Sequence, residues 1–266
     1  MSSGSGPVAR SFYFGFGIEQ PGAGMTSANP SPRLTLSRLP RADLEAMCAA
    51  GAETVESARV LAKGEIDLVS EVLRGHGTFY EMDHYPPNDV FDHDTHSQYY
   101  YHAHRRVEHG HYHTFLRGPG MPPDATPVPY DGPESWPSGD QAIAHLVAIS
   151  MDGYGRPLSL FTVNRWVTAE TWYPADAVIR MLGNFHIDHA YPSWPVNRWL
   201  TAMLRLFRPQ IEWLLWQRDE TMADWVRRHP GSDAFEDRGL EVMSELPINV
   251  DKQIARVHKA LHERRV

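Results

Sequence analysis

Apolar side chains recur at helical spacing in the chain that follows residue 40. This spacing predicts a helix over 40–75, because Pro40 suits a first helical turn and apolar positions then follow three or four residues apart. Gly64 divides the stretch, and Gly75 suits its C-cap. The apolar stripe consists of Leu44, Met47, Cys48, Ala52, Val55, Ile66, Val69 and Leu73.

Four segments in the middle of the chain have the composition or the alternation of β-strands. Residues 97–105 and 108–117 are rich in aromatic and β-forming side chains, and residues 145–151 and 158–163 alternate between the two faces of a strand. Asp152-Gly153, between the last two segments, is a strong hairpin signal. Residues 118–139 contain seven prolines, which predicts an irregular loop.

Helical spacing returns after Trp172, over 174–182, 196–216, 220–228, 235–246 and 250–264. We therefore predict an α+β fold, in which an antiparallel sheet of at least four strands is covered by N- and C-terminal helices. Residues 1–32 are rich in Gly, Ser and Pro and are predicted to be a flexible N-terminal arm. Residues 33–266 are predicted to be a single α+β domain with a C-terminal helical part.

Charge and cysteine content exclude several classes of protein. The formal net charge is −8 and the pI is about 6.0, so the chain lacks the basic surplus that nucleic-acid binding requires. Cys48 is the one cysteine, so no intramolecular disulfide can form, and this favours a cytoplasmic location. The chain has no run of 18 apolar residues, so we expect neither a membrane span nor a membrane partner.

Histidines are concentrated in one short segment of the chain. Nine of the 15 histidines lie between residues 76 and 113, and carboxylates are interspersed among them. Neutral imidazole is a common ligand for zinc, copper, iron and nickel near pH 7, so this segment predicts a transition-metal site in the α+β domain. The nine are His76, His84, His93, His96, His102, His104, His109, His111 and His113.

Alternation along the two histidine-bearing strands predicts which imidazoles meet. A four-residue loop over 105–108 would place His104 opposite His109 and His102 opposite His111, with His113 opposite Tyr100. Five imidazoles would then line one face of the hairpin. A loop of three or five residues would instead put the two sets on opposite faces.

A metal-free interpretation of the same segment remains open, in which the imidazoles form a hydrogen-bonded polar layer against the tyrosines at 99–101. Beyond the central five histidines, other side chains are candidates for the site. His93, His96, His145, His186 and His189 are possible additional ligands, and Glu108 and Tyr100 are candidate catalytic residues. Arg165 and Arg198 each lie beside a tryptophan and could bind a substrate carboxylate, although structural ion pairs are an alternative for both.

His102-Ala103-His104, followed by Glu108, resembles the first metal motif of the cupin family. The resemblance implies that two histidines and the glutamate ligate iron, manganese or another divalent metal, and that a later histidine completes the site. The run from Glu108 to Phe115, together with residues 160–166, also resembles an uncharacterised bacterial family of unknown function. That resemblance spans about residues 40–219 and implies no activity.

These observations lead to a ranked set of functional hypotheses. The first is a non-haem metalloenzyme, an oxidoreductase that uses iron or copper and acts on a small molecule. The alternatives are a zinc-dependent hydrolase, since three histidines and a water form a catalytic zinc site, and a non-catalytic protein that binds, stores or senses metal or haem. A helical interaction module, with the sheet only as a scaffold, is a further possibility. The sequence does not predict an oligomeric state.

Overall fold

The structure is a computed structural model that describes residues 36–264. Six strands are present in this range: β1 (Tyr85–Phe91), β2 (Ser97–His102), β3 (Gly110–Arg117), β4 (Ile143–Met151), β5 (Pro157–Val163) and β6 (Val242–Pro247). Seven α-helices accompany them: α1 (Arg41–Ala62), α2 (Leu68–Leu73), α3 (Arg165–Thr168), α4 (Ala175–Met181), α5 (Trp194–Leu206), α6 (Arg208–Arg228) and α7 (Val250–Glu263). The predicted arm over 1–32 lies outside the described residues.

All six strands form one antiparallel sheet in the order β1-β2-β3-β4-β5-β6, so each strand pairs with its neighbours in sequence. The predicted α+β class and the antiparallel sheet are confirmed. The four predicted strands correspond to β2, β3, β4 and β5. β1 was not predicted, because Pro86 and Pro87 lack backbone N–H donors and are atypical of a strand. It forms the sheet edge, the position in which a strand tolerates prolines.

One face of the sheet packs against the helices and forms the main apolar core. Tyr99, Tyr101 and Tyr112 project from this face and are fully buried, and Trp199 of α5 lies with its ring centroid 6.0 Å from that of Tyr112. Helix α1 buries Leu44 and Met47 of the predicted stripe, whereas Ala52 and Val55 are exposed. None of the helices within 36–264 combines the length and the apolar character that a membrane crossing requires.

The prediction of a helix over 235–246 is wrong, because residues 242–247 form the edge strand β6. Carboxylates prevent helix formation before the strand: Asp233 accepts a hydrogen bond from the backbone N–H of Phe235, and Asp237 accepts one from that of Gly239. Pairing with β5 then satisfies the backbone groups of β6 that face β5. The two helices predicted over 196–216 and 220–228 also differ from those in the structure. The first ends near Phe207, two residues before Pro209, and α6 then runs without interruption to Arg228.

Candidate metal centre

Four histidines lie on the sheet face opposite the main core, where β2, β3 and β4 run side by side. His102 pairs with His111, and Tyr100 pairs with His113, as the alternation predicted. A β-bulge after Thr114 shifts the register of β4, and His145 then lies beside His113, with His145 Nε2 2.9 Å from His113 Nδ1. The predicted register of the hairpin is therefore confirmed.

His102, His111 and His113 form a compact triad. Each offers one ring nitrogen, and these nitrogens lie within 4.8 Å of one another. The Nε2 atoms of His102 and His111 are 2.8 Å apart. All three side chains are buried, with at most 5% of their surface exposed. This triad could hold a metal ion, because three imidazoles that converge from one face match a common metal-ligand set.

Gly110 allows the two strands to meet at this point. A Cβ atom at residue 110 would lie 2.6 Å from the carbonyl oxygen of His102 and 2.5 Å from the hydroxyl oxygen of Tyr101. Any side chain here would push β3 away from β2 at the pair His102 and His111. The glycine in the Glu-His-Gly-His run therefore serves the close approach of the backbone at the triad.

Glu108 orients the central imidazole of the triad. Its Oε1 lies 2.5 Å from Nδ1 of His111, and its Oε2 lies 3.4 Å from the guanidinium of Arg105. A proton on Nδ1 is held by the carboxylate, which leaves Nε2 of His111 as a lone-pair donor directed at His102. The side chain of Glu108 is buried, and burial raises its pKa while a hydrogen bond from Ser150 and the charge of Arg105 oppose that rise.

Two nitrogens of the triad are buried without a hydrogen-bond partner. They are Nδ1 of His102 and Nε2 of His113. Leaving a buried polar atom unpaired costs about 1–3 kcal/mol, so most proteins avoid it except where the atom has another role. A nitrogen that ligates a metal is satisfied by the ion, and the arrangement of His113 therefore fits a metal ligand.

Electrostatics hold these imidazoles in the neutral form that a metal requires. Burial lowers the pKa of His102 to about 2, with smaller contributions from His111, His104 and His84. Burial likewise holds the pKa values of His111 and His113 well below their ordinary range. The pKa of His145 falls to about 3, through burial first and then the charge of Arg218. Neutral imidazoles carry the free lone pair that coordination uses.

The expectation that five imidazoles share this face is wrong for His109. Its Nδ1 lies 2.7 Å from the hydroxyl of Tyr101, and its ring stacks on Phe79, so it lies on the helix-covered side. The pairing ends at His102 and resumes at Gly110, so the strict alternation that would have put His109 opposite His104 does not extend into the connection. His104 stays beside the triad, 5.0 Å from His102 and from His111 between ring centroids, with its Nδ1 3.5 Å from Glu241.

Of the five possible additional ligands, only His145 joins the triad. His93 is exposed against Phe91, and His96 lies at the far end of β2, where its backbone oxygen accepts a hydrogen bond from Arg117 N–H. His186 and His189 lie on the other side of the sheet. The carbonyl of His189 accepts a hydrogen bond from Asn197, which also binds the hydroxyl of Tyr99 in the main core.

Both arginines proposed for substrate binding have carboxylate partners within the fold. Arg165 forms an ion pair with Glu236 and donates to the backbone oxygen of Glu170. Arg198 donates to Glu53, with 2.9 Å between Nε and Oε1, on the helical side. Neither guanidinium lies at the triad. Both arginines form structural ion pairs, the alternative to substrate binding that the sequence left open.

Tyr100 and His84 form the wall beside the triad. Their rings stack in parallel with centroids 3.6 Å apart, and the centroid of His84 lies 5.5 Å from that of His102. The sequence pattern does not distinguish His84 from the other histidines between residues 76 and 113. Its position depends on the β1 edge, where Asp89 lies 2.8 Å from His84 Nδ1. A prediction of β1 as the partner of β2 would have brought His84 near the site.

Comparison with known proteins identifies one protein family. Residues 48–248 match a family model described as Domain of unknown function (DUF6969). No curated protein and no solved structure matches the chain.

Proposed function

We propose that this chain, which belongs to the family described as Domain of unknown function (DUF6969), is a non-haem metalloenzyme with a single ion at His102, His111 and His113. The ion is iron or copper, and the reaction is the oxidation of a small molecule. Support comes from the chemistry of the site, since the family description names no activity.

The unpartnered Nε2 of His113, beside the oriented Nε2 of His111, is the observation that carries this proposal. Burial makes each unpaired nitrogen costly, and folding tolerates that cost more readily where the nitrogen has a ligand to bind. Glu108 adds a carboxylate on the far side of His111, the arrangement that fixes the tautomer of a metal-bound histidine.

A single ion suits the described part of the chain better than a metal store. Residues 36–264 contain one group of three or more ligating side chains that converge, and it is this triad. A store would hold several ions with graded affinity, whereas His109 and His189 lie on the other side of the sheet and form no second group of this kind within 36–264. The triad therefore favours a catalytic centre with one tightly held ion.

Three protein ligands leave coordination positions for a substrate, and the side chains around them suit a reaction chamber. A bound redox metal supplies electron transfer to or from dioxygen at such a position. Tyr100 is 5% exposed, and its hydroxyl makes no hydrogen bond within 36–264, so it is available to a substrate. Burial raises the pKa of Tyr100, so its hydroxyl keeps its proton and can donate it in a hydrogen bond. Phe161 and Phe115 pack against His111 and Tyr100 and keep bulk water away.

A zinc-dependent hydrolase is the second candidate, favoured by the Glu108–His111 contact, which is also typical of zinc sites. The two differ in redox behaviour. An iron or copper centre changes its absorption or spin-resonance spectrum on reduction and consumes oxygen, whereas zinc does neither.

The experiment is a metal titration of protein purified without a histidine-affinity tag. Wild-type protein should bind one equivalent of iron(II) or copper(II), and His111→Ala and His113→Ala should each lower the affinity at least about a hundredfold. His93→Ala is the matched control, because His93 is exposed and remote, and it should bind as the wild type does. Equal affinity in all four proteins would refute the site.

A further inference from the structure

A cleft of about 640 Å³ opens on the histidine-bearing face, toward the end of β2 that lies away from His102. Gln98, Tyr100 and His102 project from the same face of β2, about 6.7 Å apart from one to the next. The cleft therefore begins one residue pair beyond Tyr100 and His113. Its lining includes His84, Asp89, Gln98 and Arg117.

Arg117 enters this cleft as a positioned cation. Its Nε donates to Oε1 of Gln98 over 2.6 Å, and Nε2 of Gln98 donates to Oδ2 of Asp89, also over 2.6 Å. The other oxygen of Asp89 contacts His84. Gln98 is 6% exposed, so this chain of contacts fixes the guanidinium from a buried base.

The two terminal nitrogens of Arg117 have no partner among residues 36–264, and no carboxylate in that range forms an ion pair with it. Arg165 and Arg198 both have such pairs. Arg117 is half-buried, and burial lowers its pKa while the charge of Asp89 opposes that change. A half-buried guanidinium with an open fork is suited to a planar anion, which can accept two parallel hydrogen bonds.

Two carboxylates also line the cleft, and neither occupies this fork. Both oxygens of Asp89 are engaged, one with Gln98 and one with His84. Asp140 is exposed at the rim, where solvent screens its charge. The fork of Arg117 therefore remains open to an anion from solvent, although the carboxylate of Asp89 lies nearby.

We propose that this cleft binds the substrate of the neighbouring metal centre, and that the substrate is a small organic carboxylate whose anionic group is held by the fork of Arg117. The connection to catalysis rests on the proposed metalloenzyme function, whereas carboxylate binding does not. The stacked pair of His84 and Tyr100 lies between the cleft, which His84 lines, and His102, so a molecule anchored at Arg117 has to pass this pair to reach the triad.

The test uses benzoate as the probe and benzamide as its uncharged counterpart, titrated calorimetrically into metal-free full-length protein. Benzoate should bind, and Arg117→Gln should weaken that binding about tenfold or more, because two charge-assisted hydrogen bonds are lost. Arg117→Lys keeps the charge but not the fork and should fall between the two. Arg156→Gln, an exposed arginine outside the cleft, is the matched control and should leave benzoate binding unchanged.

Two further measurements, on Asp140→Asn and with inorganic phosphate, distinguish loss of the site from misfolding and from binding of a different anion. Asp140→Asn removes an exposed negative charge at the rim and should bind benzoate more tightly than the wild type, without loss of any buried contact. The proposal is overturned if Arg117→Gln folds and binds benzoate within about twofold of wild type, if benzamide binds as well as benzoate, if inorganic phosphate binds at Arg117 more tightly than benzoate, or if wild-type protein binds no benzoate.

Failure of this proposal is distinguishable from failure of the metal centre. Arg117→Gln should bind iron(II) or copper(II) as the wild type does, because Arg117 lies four residues beyond His113 along β3, about 13 Å between Cα atoms. Wild-type protein that binds benzoate and no metal would refute the metal centre alone. Protein that binds metal and no benzoate would refute the carboxylate cleft alone.

Discussion

The side chains that β2 and β3 present to the two faces of the sheet are similarly buried but differ in how their polar atoms are satisfied. On the helix-covered face, the hydroxyls of Tyr99 and Tyr112 bind Asn197 and the backbone oxygen of Leu68. On the opposite face, Nδ1 of His102 and Nε2 of His113 are buried without a hydrogen-bond partner. Side chains at neighbouring positions of the same strands therefore differ in whether their buried polar atoms have hydrogen-bond partners.

This difference separates the part of the sheet that stabilises the fold from the part that is available for function. Apolar contacts and paired hydroxyls lower the free energy of the folded state on the helix-covered face. Unpaired imidazole nitrogens raise it on the other face unless a ligand satisfies them. Sites that carry strain or unpaired groups in this way are where function is commonly located.

The largest expected effect is on the helix-covered face. Trp199→Ala should destabilise the protein by about 3–5 kcal/mol, because Trp199 is 1% exposed and its removal leaves a large cavity against Tyr112. Urea unfolding measures the change. Metal affinity of the folded variant should stay within about threefold of wild type, and a loss as large as that of His111→Ala would contradict the separation of the two faces.

Metal loading should stabilise the protein through the other face. An ion that binds only the folded state adds about 2.7 kcal/mol at a free concentration one hundredfold above its Kd. Chelator treatment should therefore lower the Tm measurably, and the shift should be absent in His111→Ala. An unchanged Tm after verified removal of a bound metal would show that the ion does not couple to folding.

Tyr99 and Tyr100 are neighbours in sequence and form a matched pair across the sheet. Tyr99→Phe should cost about 1–2 kcal/mol, because it leaves the buried oxygen of Asn197 without its partner, 2.6 Å away. Tyr100→Phe should change stability by less than about 0.5 kcal/mol, since its hydroxyl makes no hydrogen bond within 36–264. Thermal unfolding of both variants compares the faces directly, and equal costs would contradict the comparison.

The smallest effect near neutral pH concerns protonation of the metal-free protein. Burial lowers the pKa of His102 to about 2, whereas an unfolded chain takes up this proton near pH 6.5, so stability should decline as the pH falls below about 6.5. The expected loss is about 1 kcal/mol over the first pH unit. His102→Leu should flatten this decline in urea unfolding curves, and an unaltered acid slope would count against a neutral buried imidazole.

The tyrosines give the opposite pH dependence. Burial raises the pKa of Tyr99 and Tyr112 well above its ordinary value, whereas an unfolded chain loses these protons near pH 10. Their contribution is fully present below about pH 10 and declines as the pH rises above it. Acid therefore weakens the histidine face, whereas alkali weakens the helix-covered face through Tyr99 and Tyr112 and the histidine face through Tyr100.

Strand alternation was sufficient to predict the central hairpin, because a period of two leaves few registers once both strands carry a marked face. It predicted that His102 would pair with His111 and Tyr100 with His113. It did not predict β1 or β6. β1 contains two prolines, which are atypical of strands except at a sheet edge. β6 is short and its apolar positions also fit a helix, so its strand conformation depends on pairing with β5.

The candidate site was predicted in its core and missed at its margins. His109 follows the alternation in sequence but leaves the pairing one residue before Gly110, and a loop conformation is not encoded by a period of two. His145 was named as a possible ligand, yet its contact with His113 depends on the bulge after Thr114. His84 directly precedes β1, and Asp89 of β1 accepts a hydrogen bond from the Gln98 that positions Arg117, so both places in the cleft depend on a strand that the sequence pattern did not predict.

X-ray absorption at the edge of the bound metal tests the central claim most directly. Protein loaded with one equivalent of iron or copper should show three imidazole nitrogens in its first shell, at distances near the roughly 2.0–2.1 Å that metal-bound histidine adopts. His113→Ala, loaded under the same conditions, should show two or should lose the metal, while His109→Ala should keep all three. Three imidazoles retained in His113→Ala, or a first shell without imidazole in the wild type, would contradict the assignment of His102, His111 and His113.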